Sequence, residues 1–300
     1  MKKDSIVKMM IQGGEAYATA ICSTELVNEA KRIHKLSRVC TAALGRTLSV
    51  AGMMASEFKH TQDRLTILIK GDGPMGGLVV CADGTLALKG YVYHPQVEPP
   101  LKKNGKLDVG GTIGQGTLTV IKDLGLKEPY SGQTELVSGE IAEDFAHYFV
   151  VSEQHPCVVS CGVLVNDERV ISSGGMIVKP LPGCSEQTLQ AIEDRLDVIA
   201  AYNRILERTG DPFAAAQEIF EGLQLELTQT SYPAYDCTCS KARIEQALIS
   251  MGADELKKMI EEDEKAEVGC QFCNTQYVFS KDELSALLSE ATGKSIERVN

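Results

Sequence analysis

Four of the ten cysteines in this 300-residue chain stand in two short pairs, Cys237-Thr-Cys239 and Cys270-Gln-Phe-Cys273. Thirty residues separate them. Thiolates are soft, electron-rich ligands, and two close pairs within one small segment suit a tetrahedral site for zinc. All five histidines (His34, His60, His94, His147 and His155) precede residue 160, so a mixed cysteine–histidine site cannot be built within the segment. One Zn2+ on four thiolates is the expected occupant. An iron–sulfur cluster or incidental cysteines are the alternatives.

The spacing suggests a second chemistry. Cys-X-Cys is tighter than the Cys-X-X-Cys of ordinary structural zinc modules, and either pair could close a local disulfide. Thiolates are what oxidants attack, and Lys241 and Arg243 stand close by in sequence. Structural zinc contributes about 10–16 kcal/mol to folding, whereas a ring closed between sequence neighbours removes little chain entropy. Oxidation is therefore expected to release the metal and unfold the segment, which would make the site a redox switch. A zinc module that never changes state is the alternative. The other six cysteines, Cys22, Cys40, Cys81, Cys157, Cys161 and Cys184, are scattered and read as small buried hydrophobes.

The elements that must position these thiols read as α+β. Ser5 to Ile11 and Glu15 to Cys22 flank Gly13-Gly14 as a hairpin. Helices are expected from Thr24 to His34 and from Ser37 to Glu57, with Ser37 as N-cap. Arg64 to Lys70, Gly77 to Ala82 and Thr85 to Tyr93 make an antiparallel meander. Residues 94–115 read as a long surface loop, with strands at Gly116 to Lys122 and Gln133 to Val137. Ser138 to Ser152 reads as a helix with Ile141, Phe145, Tyr148 and Phe149 on one face. Val158 to Val165 and Arg169 to Val178 form a last hairpin. Without a βαβ rhythm, this is a mixed α/β core domain with an antiparallel sheet, over residues 1–183.

Residues 184–230 read as an amphipathic helical linker, with Leu189, Ile192, Leu196 and Ile199 on one face and Asp211-Pro212 opening a further helix. Residues 231–300 read as a small, mainly helical C-terminal zinc domain, its last helix opened by the capping box Ser280-Lys-Asp-Glu283. A segment of about 70 residues barely supports its own core, and a metal staple is expected there.

Composition narrows the function. A net charge of −11 and no tryptophan argue against broad nucleic-acid binding, which needs lysine and arginine on phosphates and aromatic platforms for bases. They also argue against anionic membrane surfaces. No apolar run reaches the ~18–20 residues of a membrane span, and the N-terminus, broken at Gln12-Gly13-Gly14, reads as a strand and a turn and not as a secretion signal. The expected location is the cytoplasm.

The chain resembles the heat shock protein 33 family, the redox-regulated 33 kDa chaperonin. The CxC…CxxC tail carries the resemblance, joined by Gly71-Asp-Gly-Pro-Met-Gly-Gly77, Gly105-Lys-Leu-Asp-Val109, Lys122-Asp-Leu-Gly-Leu126, Ser138-Gly-Glu-Ile-Ala-Glu-Asp144, Ser152-Glu-Gln154, Gly174-Gly175 and Leu181-Pro-Gly183. The resemblance implies an ATP-independent holdase, inactive while reduced and zinc-bound at Cys237, Cys239, Cys270 and Cys273. It further implies that oxidation pairs Cys237 with Cys239 and Cys270 with Cys273, that zinc leaves and tail and linker unfold, and that the protein, as a homodimer, binds unfolding clients. An enzyme is not expected. The rivals are a thiol-disulfide oxidoreductase using Cys270 and Cys273, and a zinc-ribbon module for nucleic acid. The acidic run Glu261 to Glu264 argues against the latter. The Gly71 to Gly77 loop lacks a Gly-Lys-Ser/Thr ending and reads as a turn, not a phosphate loop. His155 with Cys157 and Cys161 reads as core packing, and Glu140, Glu143 and Asp144 as the acidic first turn of a helix.

Overall fold

The computed structural model describes residues 3–262 and 265–297. Met1 and Lys2 of the N-terminus, Asp263 and Glu264 of the acidic run, and residues 298–300 lie outside them. The chain divides into two compact units, one ending at Asp236 and one beginning at Cys237.

The first unit begins with the expected hairpin, β1 (Ser5–Ile11) and β2 (Ala16–Cys22), followed by α1 (Thr24–His34) and α2 (Arg38–Ala55). Ser37 caps α2 by accepting from the Cys40 amide. The meander follows as β3 (Arg64–Gly71), β4 (Gly77–Asp83) and β5 (Ala87–Val92). Within the expected loop lies a short helix, α3 (Val109–Ile113), whose Val109 and Ile113 are buried. Then come β6 (Gly116–Asp123), β7 (Tyr130–Glu135), α4 (Ala142–Val151), β8 (Val158–Val165) and β9 (Val170–Pro180). β7 sits earlier than the sequence pattern suggested. Four helices follow, α5 (Glu186–Glu193), α6 (Leu196–Ala200), α7 (Tyr202–Thr209) and α8 (Pro212–Ile219), and then two strands, β10 (Leu225–Ser231) and β11 (Ala234–Tyr235).

These strands form two sheets, ordered β10-β1-β2-β9-β8 and β11-β5-β4-β3-β6-β7. All pairings are antiparallel except that of β11 with β5. Helix α2 packs on both sheets, which is why all its residues except Arg38 and Arg46 are buried. Small residues permit the approach: a Cβ on Gly45 would lie 2.7 Å from Val27 Cγ1 and 2.8 Å from Val163 Cγ2. The expected apolar residues are all buried in this main core, Ile141 just before α4 and Phe145, Tyr148 and Phe149 on it.

A second core lies on the other face of the five-stranded sheet, where Ile192, Ile199, Tyr202, Leu206, Ile219 and Phe220 cover β1, β2 and β9. The helical stretch is broken after Glu193, so Leu196 is 44% exposed and does not share the docked face with Ile192 and Ile199. Tyr202 and Leu206 fill that place. Tyr202 is fully buried and its hydroxyl donates to the Ile21 carbonyl at 3.1 Å.

The second unit holds α9 (Lys241–Met251), α10 (Ala253–Glu262), the hairpin β12 (Lys265–Gly269) and β13 (Gln276–Ser280), and α11 (Lys281–Glu297). Its core is small: Leu248, Leu256, Phe279, Leu284 and Leu287 with two alanines. The capping box is formed, the Ser280 amide donating to Glu283 Oε2 at 2.8 Å and the Glu283 amide to Ser280 Oγ at 3.3 Å.

Candidate metal centre

Two local structures present the cysteines. Cys270 and Cys273 lie on the turn between β12 and β13, where the Cys270 amide donates to the Thr275 carbonyl and the Asn274 amide to the Cys270 carbonyl. Asn274 takes a positive φ of 57°, a conformation that asparagine tolerates better than most residues. Cys237 and Cys239 lie just before α9, whose N-cap Ser240 accepts from the Arg243 amide. The Arg243 side chain turns back to donate to Thr238 Oγ1 at 2.6 Å, which fixes the residue between the two cysteines.

All four sulfurs fall within 4.8 Å of one another. Cys237 Sγ lies 3.7 Å from Cys270 Sγ, and Cys239 Sγ lies 3.3 Å from Cys273 Sγ. Four thiolates around one tetrahedral ion with ~2.3 Å bonds stand about 3.8 Å apart, so the donor set could hold a metal ion. Every cysteine of the chain is free of disulfide bonding.

The thiols are not equivalent. Burial pushes Cys237 up to about 12. At Cys273 burial acts the same way but is outweighed by hydrogen bonds from Thr275, whose hydroxyl lies 3.1 Å from the sulfur, and from neighbouring thiols, leaving it at about 7. Tyr277 brings its hydroxyl to 3.1 Å from Cys239 Sγ. Sequence reasoning missed Tyr277; its only signal was its place four residues beyond Cys273. Lys241 pairs with Glu283 and lies over the Phe279 ring.

The six scattered cysteines are different. Burial raises all of them, Cys157 and Cys161 to about 12, which keeps them as thiols at neutral pH. Cys157 and Cys161 pack against the main core, while His155 beside them is exposed. The turn from Gly71 to Gly77 spends its amides internally, Gly73 on the Ile113 carbonyl and Met75 on that of Thr112, which leaves no cradle for a phosphate. Glu140 is tied to Arg46 and Lys102. Asp144 does more than occupy a first helical turn: fully buried, it accepts from the amides of Val137, Ser138, Gly139 and Ile141.

Known proteins resemble this chain along nearly its whole length. The family described as Hsp33 protein matches residues 4–280. The 33 kDa chaperonin of Ruminiclostridium cellulolyticum is 42% identical over 287 residues, 96% of this chain and 98% of that protein. That of Clostridioides difficile is 42% identical over 289 residues, 96% of this chain and 99% of that protein. Among solved structures, the 33 kDa chaperonin (heat shock protein 33 homolog) of Thermotoga maritima superposes with a TM-score of 0.87 at 36% identity, covering 97% of this chain and all of that one. Among the described residues, no helix is long and apolar enough to cross a membrane.

Proposed function

Because this chain belongs to the heat shock protein 33 family, a family of chaperones that act on client proteins, we propose that it is a redox-regulated, ATP-independent holdase rather than an enzyme. One observation carries the reading: four free thiols converge within 4.8 Å in a unit whose own core is five large apolar side chains. In the reduced state Cys237, Cys239, Cys270 and Cys273 hold one Zn2+, which supplies the cross-link that so small a core needs.

Peroxide then takes two electrons from each cysteine pair. Each pair of thiolates forms one S–S bond, and each peroxide takes up two protons from solvent and leaves as two waters. Pairing Cys237 with Cys239 and Cys270 with Cys273 removes all four donors, the ion is lost, and the unit unfolds. The helices α5 to α8 then leave the five-stranded sheet, and the apolar surface between them becomes available to unfolding clients in the cytoplasm, with the oxidised protein a homodimer. The oxidoreductase reading is weaker, since the CxxC pair lies on a hairpin turn and does not open a helix as in thioredoxin-like motifs.

The test oxidises zinc-loaded protein with peroxide at elevated temperature. It follows zinc release, circular dichroism and suppression of aggregation of a denatured client. Zinc release with no gain in suppression would overturn the reading. Turnover of disulfide substrates with a thiol donor would favour the oxidoreductase.

A further inference from the structure

The segment joining the helical layer to the first metal-ligand candidate is an edge strand of both sheets in turn. β10 extends the five-stranded sheet along β1, and β11 extends the six-stranded sheet along β5. β10 is mostly exposed, so its ladder holds it more than its side chains do. β11 pairs only two residues, with the Ala234 amide donating to the Leu86 carbonyl and the Asp236 amide to that of Leu88. Tyr235 lengthens this short pairing by other means. Its hydroxyl donates to the Gly90 carbonyl at 2.9 Å and accepts from the Gly90 amide at 3.4 Å, continuing the ladder one step past the end of the strand. His34, buried at the end of α1, places Nε2 3.0 Å from the same hydroxyl, and the Tyr235 ring packs against the main core.

We propose that Tyr235, held by His34 and Gly90, is a latch that decides whether loss of the four-cysteine unit's fold passes on to the helices α5 to α8. The proposal rests on the switch reading above. The covalent path from Cys237 to the helical layer runs through β11 and then β10. While the latch is closed, that layer stays tethered at both ends to one sheet, by β9 before it and β10 after it. Once the hydroxyl lets go, β11 keeps two residues of parallel pairing and the packing of the Tyr235 ring, and β10 can peel from β1 next.

The experiment is amide hydrogen exchange on the full-length, reduced, zinc-loaded chain, comparing the parent with Tyr235→Phe, His34→Leu and the double variant. Losing the hydroxyl's bonds should speed exchange at Ala234 and Asp236 roughly tenfold, with the same acceleration through β10, α7 and α8. Exchange in β3, β4 and β6 should stay at the parent's rate. Both single changes remove the Tyr235–His34 contact, so the double variant should exchange little faster than Tyr235→Phe. Acceleration confined to residues 234–236, acceleration spread equally over the core strands, or simple additivity of the two changes would each overturn the latch. Zinc release from the oxidised parent is followed separately, so failure of the switch reading is not mistaken for failure of the latch.

Discussion

Removing the metal should unfold the four-cysteine unit and leave the rest of the chain folded. The unit's core is Leu248, Leu256, Phe279, Leu284 and Leu287, with two alanines at its edge. At about 1.5–3 kcal/mol for each large side chain, gross burial is roughly 7–15 kcal/mol. Ordering the chain offsets this, and for so small a core the balance comes out near zero. A structural zinc contributes about 10–16 kcal/mol. With the apolar core near balance, the metal decides the outcome, and the metal-free unit should lie on the unfolded side of its equilibrium. The larger unit has two cores of its own and does not depend on the site. Chelation under reducing conditions isolates the metal's effect from disulfide formation. Amide exchange should then show α9, α10 and α11 losing protection while β2, β3 and β4 keep theirs. Persistent protection in those three helices after verified loss of zinc would refute the reasoning, because the apolar core would then suffice alone.

Three further outcomes follow from buried groups. Asp144→Ala leaves four amides without their acceptor and should cost about 3–5 kcal/mol in urea unfolding; Asp144→Asn, which keeps one oxygen, should cost less. Burial raises Asp4 from 3.8 to about 6 against the opposing hydrogen bonds of the Leu26 and Glu25 amides. The folded state thus keeps a proton that the unfolded state has released, and this contribution, on the order of 2–3 kcal/mol, is present below about pH 4 and lost as pH rises through about 6. Asp4→Asn should flatten the fall in stability between those values relative to the parent, read from urea midpoints. Tyr202→Ala empties a fully buried site beneath α7 and should weaken docking of the helical layer by about 3–5 kcal/mol, raising aggregation suppression by the reduced, zinc-loaded protein; unchanged suppression would count against release of this layer as the activating step.

What could be read from the sequence was local. The first hairpin, α1, α2 with its Ser37 cap, the meander and the Ser280 capping box depend on neighbours within a few residues, and all were found where their patterns put them. β10 and β11 were not legible. Leu225–Ser231 is polar and exposed because it is an edge strand, and its partner β1 lies more than 200 residues away. The small helix α3 hid in a glycine-rich stretch, since only Val109 and Ile113 mark its buried side. Leu196 fitted a helical period that the chain abandons after Glu193. Asp144 looked like a dipole partner, and its work of gathering four amides depends on the fold of the loop before it. At the candidate site, the residue types and their spacing were legible, but Tyr277 against Cys239 arises only from the β12–β13 register.

The arrangement of the four sulfurs also says when a switch can open. Close approaches run across the pairs, from Cys237 to Cys270 and from Cys239 to Cys273, as well as between Cys237 and Cys239. Oxidation within the folded site can therefore join sequence neighbours as well as cysteines more than thirty residues apart. Such a ring removes about 3–4 kcal/mol of unfolded-chain entropy and would staple the unit shut in place of the metal. Pairing within Cys237–Cys239 and Cys270–Cys273 closes rings too small to hold anything. A switch that opens thus needs the unit to loosen before its second disulfide forms, and loosening speeds steeply with temperature. Peptide mapping after peroxide treatment should accordingly find neighbour pairs rising and cross pairs falling between cold and heat-shock temperatures, with aggregation suppression following the neighbour-paired fraction. A product ratio independent of temperature, or suppression by the cross-paired form, would show that the order of metal loss, unfolding and pairing is not what sets the output.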